Sequence, residues 1–290
     1  MRFVLALALS PFAISAELSP ELQRLIQDGA TAVYGLNLER YHGSAMASLA
    51  PPEIPDSRFG AGVTWARYIF VQGPDSHLAI FEGDTSPVDL AYLAAVVRKI
   101  NEEPYETDPV ILQSGVASVV AASGWAFAVL GPRTAISGTQ AAVMAAIELW
   151  RNPPPVSELA RNVNTAAANF DAWVYLVRPL RHLARNPSET LSKYERDLLE
   201  SVETIHAGIR IGAANEVQVE AVTRRPEDAS TLAGLARWLP GLAQVRGHDT
   251  AVIDAIEDLE TRADGVTATL RFIVPNHKLS AMLERNSRPR

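Results

Sequence analysis

The sequence predicts an α+β protein in which one series of strands and helices occurs twice. Three observations lead to this fold class. Runs of alternating apolar and polar residues are typical of half-buried antiparallel strands. Helix-start signals follow several of these runs. Finally, parts of the chain repeat at a spacing of about 140 residues, which indicates a tandem duplication.

The clearest pair of strands lies at residues 204–222. Isoleucine or alanine occupies every second position from residue 205 to 211, while His206 and Arg210 occupy positions between them. A turn over residues 212–216 leads to a second alternating run, so the segment predicts a hairpin with one buried face. Pro226, Glu227 and Asp228 then favour the first turn of a helix, which is predicted over residues 228–239.

Matching segments support the duplication. At an offset of 139, six identities align the two halves: Gly73 with Gly212, Pro87 with Pro226, Asp89 with Asp228, Leu93 with Leu232, Ala94 with Ala233 and Arg98 with Arg237. At an offset of 141, Val33-Tyr34 matches Val174-Tyr175, Arg40 matches Arg181, and residues 122–124 match residues 263–265. Three blocks at almost one spacing predict two repeats.

Each half reads as one βαββαβ unit. The first is predicted to have strands at residues 31–36, 63–72, 77–81 and 125–130, with helices at 40–49 and 87–100. The second is predicted to have strands at 172–177, 204–222 (the hairpin) and 266–274, with helices near 191–201, at 228–239 and at 250–259. This is the element order of a ferredoxin-like split βαβ fold, in which helices cover one face of a mainly antiparallel sheet.

The predicted organisation has four parts. Residues 1–16 form a signal peptide, because Arg2 precedes an apolar run and small residues precede Glu17. Cleavage is expected after Ala16; cleavage one residue earlier, set by Ala13 and Ser15, and a buried N-terminal helix are the alternatives. Residues 17–151 form the first repeat, 152–168 a Pro/Asn-rich linker and 169–290 the second repeat.

Composition narrows the function. The 290-residue chain has a formal net charge of -7, which argues against a nucleic-acid binder. It has no cysteine, so disulfides, thiol nucleophiles, cysteine-based zinc sites and a lipid-bearing N-terminal cysteine are excluded. No run after the leader reaches the ~20 apolar residues of a membrane span. We therefore expect a periplasmic or secreted protein with no membrane span in the mature chain.

Catalytic motifs are not found in the sequence. The stretch from Gly131 to Thr139 lacks the lysine of a phosphate-binding loop, and no serine lies in a Gly-x-Ser-x-Gly elbow. The six histidines are scattered, with no His-x-His or His-x-x-x-His spacing that would place two metal ligands on one face. We expect no catalytic residue, no bound metal and no cofactor.

The segment AVLGPRTAISGTQAAVMAAI resembles an element of uncharacterised exported bacterial proteins built of tandem α+β repeats. It combines a strand, a tight turn at residues 131–133, a second strand and a helix. Ser137 or Thr139 can cap this helix, and the Gly-x-x-x-A-V pattern from Gly138 to Val143 spans its start. The resemblance covers about a tenth of the chain. The element is not a specific motif and brings no catalytic residue, so nothing is carried over from the resemblance.

One basic cluster is a candidate binding surface. Arg178, Arg181, His182 and Arg185 follow the strand at residues 172–177 at helical spacings, and could receive an anionic polymer or a lipid head group. Acidic residues downstream, including Glu189 and Glu195, could instead neutralise this cluster. For such a charge run, we expect pairing with nearby acidic residues rather than binding of an anionic partner.

The sequence favours an exported, non-enzymatic protein with a scaffold, interaction or ligand-binding role in the cell envelope. Its partner would be an envelope protein, a polymer or a lipid rather than a nucleic acid. Two alternatives stay open. One is an exported hydrolase whose Asp, His and Ser residues assemble between the repeats; the other is a carrier of an apolar ligand.

Overall fold

The computed structural model describes residues 17–44, 65–86, 88, 110–114, 117–179, 193–212, 214–241, 256 and 258–278. These residues contain twelve strands: β1 (Ala32–Asn37), β2 (Trp65–Gln72), β3 (His77–Gly83), β4 (Val110–Ser114), β5 (Ala117–Ala122), β6 (Trp125–Gly131), β7 (Thr134–Thr139), β8 (Ala172–Val177), β9 (Val202–Arg210), β10 (Ala214–Thr223), β11 (Glu260–Asp264) and β12 (Thr267–Pro275).

Six helices connect or flank these strands in the described residues: α1 (Pro20–Arg24), α2 (Leu38–His42), α3 (Gln140–Arg151), α4 (Glu158–Asn169), α5 (Lys193–Glu200) and α6 (Pro226–Ala236). Local sequence explains several helix starts. The side chains of Ser19, Asn37 and Ser157 accept hydrogen bonds from backbone amides in the first turns of α1, α2 and α4. Pro226 occupies the first turn of α6, where its missing N–H is not needed.

All twelve strands belong to one antiparallel sheet, in the order β11-β12-β10-β9-β8-β1-β2-β3-β7-β6-β5-β4. Outward from β1 the order is β2, β3, β7, β6, and outward from β8 it is β9, β10, β12, β11. The two halves are therefore joined side by side through β1 and β8. The α+β class and the antiparallel sheet that the sequence predicts are confirmed.

The two central strands pair antiparallel, with Val33 opposite Tyr175 and Tyr34 opposite Val174. Val33 and Val174, and likewise Tyr34 and Tyr175, are the residues that match at an offset of 141 in the sequence. Val33 therefore faces Tyr175, the counterpart of Tyr34, and Tyr34 faces Val174, the counterpart of Val33. Such reciprocal pairing is what a two-fold axis between the strands generates.

Helices lie on both faces of the sheet. Leu22 of α1, Val143 of α3 and Val163 of α4 share one buried cluster with Val33 of β1. Leu38 of α2 belongs to a second cluster with Phe81. Leu36, half-buried and on the side of β1 opposite Val33, packs against this second cluster, because successive strand residues alternate faces.

The prediction that helices cover one face is therefore wrong. In the second half, α6 packs its Ala229 and Ala233 against Ala268 of β12. The register from β12 through β10, β9 and β8 places Ala268 on the face opposite Tyr175. Alternation within one strand indicates which residues share a side, but it cannot say on which side of the whole sheet each helix will pack.

The ferredoxin-like arrangement is not confirmed. In a split βαβ unit, the two strands that a helix connects are separated by another strand of the sheet. Here β8 and β9, which are consecutive strands with α5 between them, are direct neighbours. The same holds for β1 and β2, on either side of α2. Element order is common to both topologies, so the sequence pattern could not distinguish them.

Several predicted elements agree with the structure and others differ. The strand at residues 172–177 and the hairpin at 204–222 are confirmed by β8, β9 and β10, and residues 132–133 form the turn between β6 and β7. Most of the segment 152–168 predicted as a linker belongs to α4, whose Val163 and Ala166 are fully buried. In the helix predicted at 250–259, the described residues Ile256, Asp258 and Leu259 are not helical. The helix predicted at 87–100 lies outside the described residues except for Val88, which is not helical.

Candidate functional site

A cavity of about 160 Å³ opens at the junction of the two halves, where α2, the end of α4 and strands β1, β2, β8 and β9 meet. We call it the junction pocket. It is lined by Asn37, Arg40, Arg67, Ala167, Ala168, Asn169, Phe170, Asp171, Trp173 and Arg210. Each half contributes to this lining, so the site exists only when the halves are joined.

Backbone hydrogen bonds fix the two segments that carry most of the pocket. The Asn37 amide donates to the Asp171 carbonyl at 2.6 Å, and the Asp171 amide donates to the Ile209 carbonyl at 2.9 Å. The Asn37 side chain also accepts from the Arg40 amide at 3.1 Å, which places Arg40 in the first turn of α2. The end of β1, the start of β8 and the end of β9 are thereby held together.

Two aromatic residues form the apolar part of the pocket. Trp173 of β8 lies opposite Gly35 of β1 on one side and Gly208 of β9 on the other. A Cβ atom at Gly35 would overlap the Trp173 ring, and one at Gly208 would overlap Phe170. Glycine within these strands therefore makes room for aromatic rings to lie flat on the sheet.

Arg67 is the most deeply buried charge of the pocket, with 4% of its surface exposed against 8% for Asp171. Its Nη1 donates to the Glu17 carbonyl at 3.2 Å and lies 3.1 Å from Oε2 of Glu82 on β3. Burial lowers the pKa of the Arg67 guanidinium, and the Glu82 carboxylate opposes that shift. The side chain stays cationic because an arginine pKa starts far above neutral pH.

The other two arginines lie closer to solvent. Arg40 Nε is 3.6 Å from Asp171 Oδ1, and Asp171 Oδ2 accepts a hydrogen bond from the Ile211 amide at 2.7 Å. Arg210 Nε donates to the carbonyl of Asn169, the last residue of α4, at 3.2 Å, and its Nη1 binds Glu216 at 2.9 Å. Arg210 thus offsets the negative end of the α4 dipole at the pocket wall.

A histidine lies behind the aromatic wall. His206 of β9 contacts Phe170 edge-on and stacks on Tyr175, with ring centroids at 5.7 and 6.4 Å. Its Nδ1 is 3.4 Å from Glu220, while its Nε2 is buried without a hydrogen-bond partner among the described residues. Burial lowers the pKa of His206, and Glu220 opposes the shift.

The basic cluster predicted from the sequence is only partly described. Arg178 is exposed just after β8 and its amide donates to the Glu203 carbonyl at 2.7 Å. Arg181, His182 and Arg185 lie outside the described residues, so this surface stays a prediction.

Sequence reasoning missed the junction pocket. Its four charged residues come from four separate segments and form no motif. The available signal was the pair of strand glycines, because a glycine inside a strand often marks close approach of another group.

The described residues contain no group of three or more histidine, aspartate or glutamate residues placed to hold a metal ion. None of the helices in the described part of the chain is long and apolar enough to cross a membrane.

The fold defines an α+β protein built on one large antiparallel sheet, and solved structures with this arrangement exist. The chain is similar to three crystal forms of TP0453, with TM-scores of 0.53, 0.51 and 0.54 and 6% sequence identity in each case. The alignments cover 93%, 93% and 90% of this chain and 99%, 98% and 95% of TP0453. At this identity the likeness concerns the fold alone. No family model and no curated protein matches the sequence.

Proposed function

We propose that the protein is an exported, non-enzymatic binding protein whose ligand occupies the junction pocket. One observation carries this proposal: the pocket combines guanidinium groups, amide side chains and aromatic walls, and both halves of the sheet build it. Concave sites with apolar walls and a few convergent polar groups are the usual form of ligand sites in proteins.

The lining also bears on the two alternatives. A hydrolase that uses a serine nucleophile needs a base within hydrogen-bond reach, and neither serine nor histidine is among the residues that line this pocket. A carrier of a larger apolar ligand needs a cavity of roughly 300–1,000 Å³, well above the volume of the junction pocket. The lining therefore favours a binding role for a small ligand.

A pocket-filling variant tests the binding role. Ala168 of α4 is half-buried in the lining, whereas Thr165 lies on the exposed side of the same helix. Wild-type protein, Ala168→Trp and Thr165→Trp would be dialysed against a small-molecule extract of bacterial cells and medium, and the retained compounds identified by mass spectrometry. We expect wild type and Thr165→Trp to retain a compound in unchanged form, and Ala168→Trp to lose it.

Two results would contradict the proposal. Retention of the same compound by Ala168→Trp would place the ligand elsewhere. Conversion of the compound by the wild-type protein would make it an enzyme.

Export is supported by the leader pattern of residues 1–16, and it has its own test. Sequencing the N-terminus of protein from the native host should give Glu17 as the first residue. Finding Met1 on the functional protein would remove the exported location from the proposal.

We also propose that the two halves arose by duplication. The reciprocal pairing of Val33, Tyr34, Val174 and Tyr175 supports this origin, as does the matching strand order outward from β1 and β8. The match of residues 122–124 with 263–265 does not add support. The first segment lies at the turn between β5 and β6, and the second lies at the turn between β11 and β12. By their places in the sheet, β11 and β12 correspond to β6 and β7, so the two turns are not equivalent.

A further inference from the structure

We infer that the ligand of the junction pocket carries an oxyanion head, a carboxylate or a phosphate, on a small apolar body. This inference rests on the proposed binding function and names its ligand class. It starts from hydrogen-bond donors: three arginines line the pocket, and a guanidinium group has five N–H donors and no acceptor. Arg67 and Arg210 also pair with Glu82 and Glu216 outside the lining, so the charges of the site balance, and the donors left over on the exposed arginines would bind an oxyanion.

The positions of the charged groups fit an anion that enters from solvent. The side chains of Arg40 and Arg210 are 61% and 51% exposed, so their remaining N–H groups can reach a ligand at the mouth. Guanidinium groups offer paired donors that match the two oxygens of a carboxylate or phosphate.

The features of the lining that would repel an anion, a carboxylate and a helix end, are both neutralised, and the neighbouring Glu216 is paired with Arg210 and Arg271. Asp171 contacts Arg40 with one oxygen and accepts from the Ile211 amide with the other. The carbonyl at the end of α4 accepts from Arg210, which reduces the negative field of the helix end. An oxyanion therefore meets the guanidinium groups without an unpaired carboxylate or helix end facing it.

The size and walls of the pocket define the rest of the ligand. Trp173 and Phe170 are almost completely buried and supply flat apolar surfaces. The cavity volume is about 160 Å³. A cavity of about 150 Å³ is large enough to hold benzene, so a body of one small ring or a short branched chain fits this space.

Three probes of one shape test the ligand class: phenylacetate, phenyl phosphate and the neutral phenylacetamide. Each would be titrated into the full mature chain, with affinity measured by ligand-observed NMR and by displacement of the compound retained in dialysis. We expect at least one oxyanion to bind and the amide to bind at least about tenfold more weakly, since a charge-assisted hydrogen bond is worth roughly this factor. Binding of phenylacetate alone identifies a carboxylate site, and binding of phenyl phosphate alone identifies a phosphate site.

Arginine variants provide the second arm. Arg40→Gln and Arg210→Gln should each weaken oxyanion binding by about tenfold, because each removes a guanidinium partner. Arg262→Gln removes the same charge from an exposed residue that pairs with Asp264 outside the pocket, and it should leave binding unchanged. Unfolding midpoints of all three variants show whether a loss of binding comes from a loss of fold.

The outcomes separate this inference from the proposed function. Equal binding of phenylacetamide, or unchanged oxyanion binding by both pocket variants, overturns the oxyanion head while the pocket remains the ligand site. A neutral or cationic compound retained in dialysis overturns it in the same way. Failure of the wild-type protein to retain any compound removes the proposed function itself.

Discussion

One face of the sheet has two different chemistries in the two halves of the molecule. In the N-terminal half this face is mainly apolar, with Ile69, Ile80 and Ile136 buried beneath the helices that include α3 and α4. Its one described ion pair with both partners nearly buried joins Arg67 and Glu82. Across β9 to β12 the same face carries charged and polar side chains: His206, Arg210, Glu216, Gln218, Glu220, Glu260, Arg262, Thr269 and Arg271. We call this second region the charged face.

The difference shows how helix cover selects residue types. A helix docked on a sheet removes water from the strands below it, so polar groups there must be paired or absent. Where α4 ends, the strands beyond it can carry ion pairs that remain partly solvated. The junction pocket lies at this border, which explains why aromatic walls and guanidinium groups occur side by side in it.

The largest expected effect compares the ion pairs of the two regions. Arg67→Met would leave Glu82 nearly buried, with Arg133 at 3.8 Å as its remaining ion-pair partner among the described residues, and should lower the free energy of unfolding by about 3–5 kcal/mol. Arg271→Met removes a half-exposed partner of Glu216 on the charged face and should cost about 0–1 kcal/mol. Urea unfolding of both variants measures the difference, and equal losses would contradict the distinction between the regions.

A second comparison uses one type of substitution in both regions. Ile147 of α3 is 1% exposed and Ile273 of β12 is 50% exposed. Ile147→Ala should destabilise the protein by about 2–5 kcal/mol, because it removes buried apolar surface and leaves a cavity. Ile273→Ala should change stability by about 0.5 kcal/mol or less. A large loss at Ile273 in urea unfolding would show that this residue is covered in solution.

A smaller effect is expected at the glycine beneath the Trp173 ring. Gly35→Ala should cost about 1–3 kcal/mol, because the added methyl group overlaps the ring and forces it to move. Gly234→Ala in α6 is the matched control, since its Cβ would meet no neighbour within 4 Å. That change should stabilise the protein by about 0.4–1 kcal/mol. Thermal unfolding and tryptophan fluorescence report both; an unchanged Gly35→Ala protein would contradict the tight contact.

The smallest effect concerns the pH response at the border of the charged face. The pKa of His206 is lowered in the folded protein, mainly by burial, so the unfolded chain binds a proton more readily. Stability should therefore be full above the ordinary histidine pKa of about 6.5 and should fall as pH decreases below it. The groups that face His206 are Glu220 of β10 and Tyr175 of β8, with Phe170 closing the site.

Unfolding of wild type and His206→Gln between pH 7.5 and 5.5 measures this response. In His206→Gln, stability should no longer show the decrease toward low pH that His206 causes. The control His42→Gln, on the exposed side of α2, should keep this decrease. An identical pH dependence in wild type and His206→Gln would show that His206 does not contribute.

Much of the fold follows from local pattern. The alternation at residues 204–222 is sufficient to define β9 and β10, and the turn residues at 132–133 separate β6 from β7. The predicted helix at 228–239 corresponds to α6, because a proline and two carboxylates mark its start. The sequence pattern does not predict strands β4, β5 and β11; β11 in particular is a charged edge strand without apolar alternation.

The candidate site was much less accessible to sequence reasoning. In the sequence, Arg40 is distinguished only by its match with Arg181, and Arg210 only as a polar position of an alternating strand. They come together because Asn37, Asp171 and Ile209 are linked by backbone hydrogen bonds across three strands. Pairing between distant strands depends on the whole sheet, and no local residue pattern encodes it.

The sequence by itself determined the α+β class, most strand positions, the start of α3 and the match between Val33-Tyr34 and Val174-Tyr175. These features depend on periodicity and on residue conformational preference, which are properties of short segments. Only the tertiary structure decided that the halves share one sheet, that α6 and α4 lie on opposite faces, and that three arginines meet at the junction. Those outcomes depend on which strand edges pair, because strand pairing brings together residues that are far apart in the chain.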